Sequence, residues 1–356
     1  MDIVFTIILF LVILSILVLV HEAGHFFAAR IFGVHVEEFG LGFPPRAKGW
    51  KRGGVLYSLN WLPLGGFVKI KGEQGESHDK DSFVAQAVWK RMIILVAGVV
   101  MNLVLAVVLL TIGFTLGMPQ VVDTDTSDVA SVRDARIQIV YVVPESPAEA
   151  AGIKLGDIAI TINGTSFEQI TDFQNYVAER GGSVLEIALE RGTERIVKTV
   201  TPRRENEGEP ARIGVGLAKT AVVSFPVHEA FVLAIKTTWA LTIGIFTMLG
   251  RAFSRFAFDG FVGPVGIATY TATAAQLGFA YVINLMAQLS ISLAVINVLP
   301  IPALDGGRVL FTLVEKVRGR ALRPALENVI HLIGFFTLII LLLAVTVRDI
   351  GRLLPM

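Results

Sequence analysis

The sequence predicts an α-helical polytopic membrane protein with four transmembrane helices and a soluble α+β domain inserted between the second and third. Three observations carry this reading. Hydrophobic residues make up 53% of the 356 positions and charged residues only 17%, with a mean hydropathy of +0.67, whereas soluble domains carry about 25% charged residues. Several apolar stretches are long enough to cross a bilayer. Between them, a segment from about Gln120 to Ala218 gains Asp, Glu, Arg and Thr and loses long apolar runs. A net charge of +1 excludes the broad basic surface of a nucleic-acid-binding protein, and the absence of cysteine excludes disulfides and thiolate zinc ligands.

The first span begins with Ile3 to Val20, an 18-residue run whose only polar members are Thr6 and Ser15, and its helix is expected to continue to about Phe32. No basic region precedes it and no small-residue cleavage signal follows, so it reads as a retained membrane helix. Met92 to Met118, Tyr281 to Leu299 and Val329 to Val347 supply the other three spans. Glu229 to Gly250 is interrupted by Lys236 and several threonines; it can span, or lie along the interface as an amphipathic helix. Charge placement decides between them. Arg30, Arg46, Lys48, Lys51, Arg52 and Lys69 put the first loop in the cytoplasm, and Lys316, Arg318, Arg320 and Arg323 do the same after Leu299. A single crossing through Tyr281 to Leu299 then suffices, which sets Glu229 to Gly250 at the interface. The chain divides into 1–118, the inserted domain 119–218, a linker with the interfacial helix 219–280, and the last two spans 281–356.

His21-Glu22-Ala23-Gly24-His25 lies where the first span nears its cytoplasmic end. On a helix the histidines stand at i and i+4 on one face, so both rings reach one Zn²⁺ while Glu22 leans toward its water. Ionisable groups at membrane depth are costly and therefore functional by default. A catalytic zinc usually takes three protein ligands and keeps a position open. The third is sought in Asn297-Val298-Leu299-Pro300-Ile301-Pro302-Ala303-Leu304-Asp305-Gly306-Gly307, which ends the third span on the same side. The prolines interrupt helical bonding and the glycines permit a sharp turn, aiming Asp305 at the first helix; an ordinary Asp-Gly-Gly turn is the other reading. In the first loop, Val55 to Trp61 and Gly66 to Ile70 flank Leu62-Pro63-Leu64-Gly65 and read as a hairpin. By itself it is a small surface sheet; buried against protein it could dip into the membrane and present an edge. Asn102, with Gly98 allowing close approach, either bonds a neighbouring helix or positions substrate.

These residues resemble the site-2 proteases, intramembrane zinc metalloproteases, and most of all the bacterial envelope-stress type. The two motifs around His21 and Asp305 carry the resemblance, joined by Gly98-Val99-Val100-Met101-Asn102, similar to that family's Gly-x-x-x-Asn element, and Leu64-Gly65-Gly66-Phe67-Val68-Lys69, similar to its cytoplasmic re-entrant β-loop. The resemblance implies that His21, His25 and Asp305 hold zinc, that Glu22 is the catalytic base, and that Asn297, Asn102 and the loop residues Gly66, Phe67 and Val68 hold substrate. It also implies a bacterial inner membrane and, as substrates, single-pass membrane proteins already shortened on the outer side, such as anti-sigma factors or remnant signal peptides.

The inserted domain reads as a serine-capped helix start at Ser146-Pro147, a strand Ile158 to Ile162 ending in Asn163-Gly164, a helix Thr171 to Arg180, and a hairpin of Ser183 to Glu190 with Arg195 to Thr201. This order resembles a PDZ domain, which binds chain ends by strand addition; a steric filter against bulky outer domains is the preferred role here. Glu205 to Pro210 is a solvated loop. His35, His78 and His228 lack a ligand-spaced partner and read as surface or interface residues, and Glu327 with His331 reads as a helix-surface hydrogen bond. Two other classes compete. A metal transporter also sets histidines and an aspartate at membrane depth, but Glu22 and the inserted domain argue against it; a silent scaffold would not need the intact ligands and base.

Overall fold

The computed structural model describes residues 3–73, 77, 79–121, 131–192, 194–204, 208–255, 261–320 and 324–353; His78 and residues 205–207 of the solvated loop lie outside them. They form two compact units, one comprising Met1–Leu110, Phe231–Thr273 and Ile283–Met356, the other Thr111–Ala230 and Ala274–Val282.

Helix α1 (Ile3–Ile31) runs unbroken through the histidine motif, as an apolar segment must if lipid offers its backbone no hydrogen-bond partner. Strands β1 (Val36–Arg52) and β2 (Val55–Ile70) follow as a two-stranded sheet. Its register corrects the expected hairpin. Residues 55–60 face 46–52, and Gly66 to Ile70 instead face Leu41 to Val36. Glu38 to Leu41 also meet Leu56 to Leu59 in ascending order, a parallel run inside an otherwise antiparallel pair. The two long strands thus fold back on themselves, with 36–41 in the middle and 66–70 at one margin. Sequence periodicity missed the central stretch because Glu37, Glu38, Gly40 and Gly42 dilute its β-forming residues. Gly40 is required there, since a Cβ would lie 2.5 Å from the Phe67 ring. Val34, Val36, Val55, Ile70 and Phe83 form a core with Ala28 and Ala29 of α1 and Ile94 of α2 (Val88–Leu116).

In the second unit, β3 (Met118–Val121), β4 (Ser131–Val142), β5 (Ile158–Ile162), β6 (Leu185–Arg191), β7 (Glu194–Val200) and β8 (Val215–Ser224) make one sheet in the order β3-β8-β4-β5-β6-β7. Helices α3 (Pro147–Ala150) and α4 (Ile170–Ala178) join it. Ser146 caps α3 by accepting from the Glu149 N–H at 3.2 Å, with Pro147 in the first turn, as the sequence predicts. Asn163 and Gly164 have φ of 47° and 80°, the left-handed conformation that Asn-Gly favours. Buried Ile139, Ile162, Phe173, Leu185, Ile187 and Leu189 lead the core. Asp157, 1% exposed, takes a bidentate pair from Arg191, each contact 2.7 Å, and the same guanidinium donates to the Gly152 carbonyl.

The chain then forms α5 (Val227–Arg255), α6 (Pro264–Leu277), α7 (Phe279–Val298), α8 (Asp305–Arg318) and α9 (Pro324–Leu353). Among the described residues five helices are long and apolar enough to cross a membrane: α1, α2, α5, α7 and α9. Length and composition therefore put α5 beside the four expected spans, although charge parity assigns it to the interface. It also packs as a member of the helical unit, with Leu241, Ile245 and Leu249 against Ala106 of α2 and Ile291 and Val295 of α7. Helix α6, at 14 residues, is about 21 Å long and falls short of the roughly 30 Å hydrocarbon core.

Candidate metal centre

His21 and His25 stand on one face of α1, both 6% exposed, and Asp305, the first residue of α8, closes on them from 284 residues away. Asp305 Oδ2 lies 2.9 Å from His21 Nε2 and 3.3 Å from His25 Nε2, and the two Nε2 atoms are 3.2 Å apart. Three donors each about 2.0–2.1 Å from a tetrahedral zinc are about 3.3 Å from one another. The observed triangle is close to that size. These three residues make up the group among the described residues whose donor atoms could hold one metal ion.

The surroundings decide which nitrogen each ring presents. His25 Nδ1 lies 2.8 Å from the Ile94 carbonyl, which can only accept, so Nδ1 carries the hydrogen and Nε2 keeps its lone pair. His21 Nδ1 lies 3.1 Å from the Asn102 amide nitrogen, while Asn102 Oδ1 is buried without a partner. A half-turn of that amide exchanges the two atoms at no steric cost. It lets Oδ1 accept from the Nδ1 hydrogen and directs the second Nε2 lone pair inward. The orphaned oxygen is thus what a zinc-ligating tautomer of His21 needs, and the donor set fits zinc. Asn102 is itself held by the Ser290 hydroxyl, which donates to its backbone carbonyl at 2.7 Å.

Space for the rings comes from Gly98, one turn before Asn102. A Cβ there would lie 2.4 Å from His25 Nε2 and 2.7 Å from the His21 ring. Gly24 has the matching role on α1, where a Cβ would lie 2.4 Å from the Ala97 carbonyl oxygen. Gly306 and Gly307 are corrected in their reason: they lie inside α8, not in a turn, and a Cβ would come within 2.2 Å of the Leu299 carbonyl or 2.4 Å of that of Ile301. The actual turn is Ala303, at φ 78°, an unfavourable conformation for a residue with a Cβ. Its N–H donates to His331 Nδ1 at 2.8 Å, and Gly334 of α9 packs on Pro302. His331 is therefore a brace for the ligand loop, not the surface partner of Glu327, from which it stands 3.9 Å away.

Two ion pairs hold α8. Arg91 of α2 makes a bidentate contact with Glu315 at 2.6 and 3.0 Å, and Arg308 pairs with Glu73 just after β2. Glu22 accepts from the Val68 N–H at 3.0 Å, which ties the carboxylate beside the histidines to the sheet margin. Phe67 is half-buried and stacks on Phe43, Gly66 is buried, and Asn297 is half-buried in the last turn of α7. Of the remaining histidines, His35 is half-buried and His228 is exposed.

A helical membrane unit that joins an H-E-x-x-H helix to a distant aspartate defines a membrane-embedded metallopeptidase centre. The chain belongs to peptidase family M50, whose family model matches residues 9–341. A protein of Clostridium perfringens whose name carries the words zinc metalloprotease is 34% identical over 94% of this chain and 96% of its own length. The zinc metalloprotease RasP of Geobacillus kaustophilus is 31% identical over 98% of each chain, and RasP of Bacillus licheniformis 29% over 98% and 99%. Among solved structures, the PDZ domain of an SdrC-like protein from Listeria monocytogenes aligns at a TM-score of 0.23 and 19% identity, covering 24% of this chain and 92% of that one. The protein is a zinc metalloprotease of the site-2 protease family, as the sequence motifs imply.

Proposed function

We propose that the protein is an intramembrane endopeptidase that cuts single-pass transmembrane substrates near the cytoplasmic face of a bacterial inner membrane, after an earlier cut has removed their outer portion. Anti-sigma factors and remnant signal peptides are the substrate types that suit it. The observation that supports this reading is the Glu22–Val68 hydrogen bond, which sets the Glu22 carboxylate beside the margin of a sheet.

His21, His25 and Asp305 would hold the zinc, which supplies Lewis acidity toward a scissile carbonyl and lowers the pKa of a water to about 7. Glu22 takes a proton from that water and returns it to the leaving nitrogen. A helical substrate hides its carbonyls in its own hydrogen bonds, so it must be unwound locally and held extended. Residues 66–70 serve that purpose by strand addition, the substrate taking the Val68 N–H as Glu22 turns to the water. Phe67 lines the approach and Asn297 holds substrate backbone. Asn102 acts on His21 instead of on substrate. The inserted domain stands on the outer side and excludes substrates that still carry bulky outer domains.

Cleavage of a transmembrane substrate by the purified protein tests this, with and without a zinc chelator. Chelation and Glu22→Gln should each abolish cleavage, with Glu22→Gln retaining its zinc, while Asp305→Asn should lose both. Full cleavage by Glu22→Gln would remove the assigned base. Zinc flux into vesicles without cleavage would favour a transporter.

A further inference from the structure

Two hollows in the helical unit meet at Phe27. The first is a seam between α1 and α2 of about 550 Å³, lined wholly by apolar residues, among them Gly24, Ala28, Ile31, Val96 and Val100. The second is a cleft of about 620 Å³ between the end of α1 and the tip of the β1–β2 hairpin, lined by Arg30, Arg52, Trp50, Tyr57 and Phe26. Phe27 lines both. The cleft is cationic and aromatic. Arg30 spends one long contact, 3.3 Å, on the Gly53 carbonyl, and among the described residues neither Arg30 nor Arg52 is in an ion pair with a carboxylate. Trp50 stacks on Tyr57 with ring centroids 6.0 Å apart and remains more than half exposed, as does Phe27. Open indole and phenol rings beside cations that no carboxylate neutralises, at the end of a spanning helix, suit the phosphate level of a membrane interface.

The depth of each hollow tells which partner. Arg30 lies one residue before the end of a membrane-spanning helix, the level at which phosphates and interfacial tryptophans sit. The seam runs from Ile31 back to Gly24, about 10 Å along the axis, within the roughly 15 Å of one leaflet. A transmembrane peptide would need an apolar groove across both leaflets, longer than this seam. We propose that the joined site binds one anionic phospholipid, its phosphate on Arg30 and Arg52, its glycerol region against Trp50 and Tyr57, and one acyl chain passing Phe27 into the α1–α2 seam. The bound lipid braces the end of the zinc-bearing helix against the hairpin. The head-group cleft shares no residue with the metal centre, and the seam shares only Gly24 with the histidine motif, so lipid binding does not depend on what the protease cuts.

Native mass spectrometry of the full chain after exchange into phosphatidylglycerol or phosphatidylcholine of identical acyl chains tests this. One phosphatidylglycerol per chain should survive detergent release, and phosphatidylcholine should not. R30Q/R52Q should lower retention roughly thirtyfold, given the usual contribution of a basic residue at an anionic surface, and Val100→Trp should lower it by filling the seam. K154Q/R195Q, which removes two charges from the inserted domain, should retain lipid as the parent does, and soluble glycerol phosphate should not compete. Equal retention of the two lipids, parental retention by R30Q/R52Q, equal loss in K154Q/R195Q, or capture of a single-pass substrate peptide instead of lipid by a photocrosslinker at position 27 would each overturn the proposal. Thermal unfolding of each variant separates lost lipid from lost fold.

Discussion

At the residue scale, the metal centre depends on what is missing from Gly98 as much as on what His21 and His25 carry. A single methyl there meets both rings, so Gly98→Ala should lower zinc affinity more than about tenfold, read by competition with a chromophoric chelator. Parental affinity would mean that α1 and α2 separate freely at this point. Asn102 makes a sharper test. If it accepts from His21 Nδ1, Asn102→Asp keeps an acceptor and should bind zinc, whereas Asn102→Leu should lose roughly ten- to a hundredfold; equal affinities would assign Asn102 to substrate. The ligands themselves were legible in the sequence because i, i+4 histidines and the Leu-Asp-Gly-Gly run are local patterns. Gly98 was legible only as room for close approach and His331 only as a helix-surface residue, since the rings and the loop they touch are distant in sequence.

At the element scale, α8 brings Asp305 to the site and is held by pairs spanning 224 and 235 residues. No local periodicity encodes such contacts. Arg91 and Glu315 are largely buried, and removing one partner from a buried pair costs about 3–5 kcal/mol because the other is left uncompensated. We expect Arg91→Met to lower both the unfolding midpoint and zinc affinity, and R91M/E315L to regain most of the midpoint. A double variant no better than the single would show that the pair does not join α2 to α8. The hairpin teaches a related lesson. Residues 55–61 and 66–70 were legible as strands, but their partner was not: residues 36–41 include Glu37, Glu38 and Gly40 and take their place through pairing on both sides and burial of Val36 and Phe39 against α1.

At the scale of the whole molecule, composition and hydropathy were enough to show a helical membrane protein with a polar insertion, because solvent acts on the average residue. The strands β3, β4 and β8 went unread, being short or mixed in character. The insertion has its own anchor: Asp157→Ala should lower its stability by about 2–3 kcal/mol, discounted because Arg191 is one-third exposed, measured by urea unfolding of the full chain and expected to spare zinc binding. Orientation is directly accessible because the chain contains no cysteine. In intact cells an impermeant maleimide should label Ser183→Cys from outside, and Lys48→Cys only after permeabilisation; the reverse pattern would invert the topology. The joining of Asp305 to His21 requires an even number of crossings between α2 and α7, so α5 and the short α6 enter and leave by one face, or neither crosses.

X-ray absorption at the zinc edge of the loaded protein tests the central claim most directly. Two imidazole nitrogens, one carboxylate oxygen and one further light atom at about 2.0–2.1 Å are expected, with one imidazole lost in His25→Ala and the protein carboxylate lost in Asp305→Ala. A zinc shell unchanged by either substitution would contradict the convergence of α1 and α8 on a single ion.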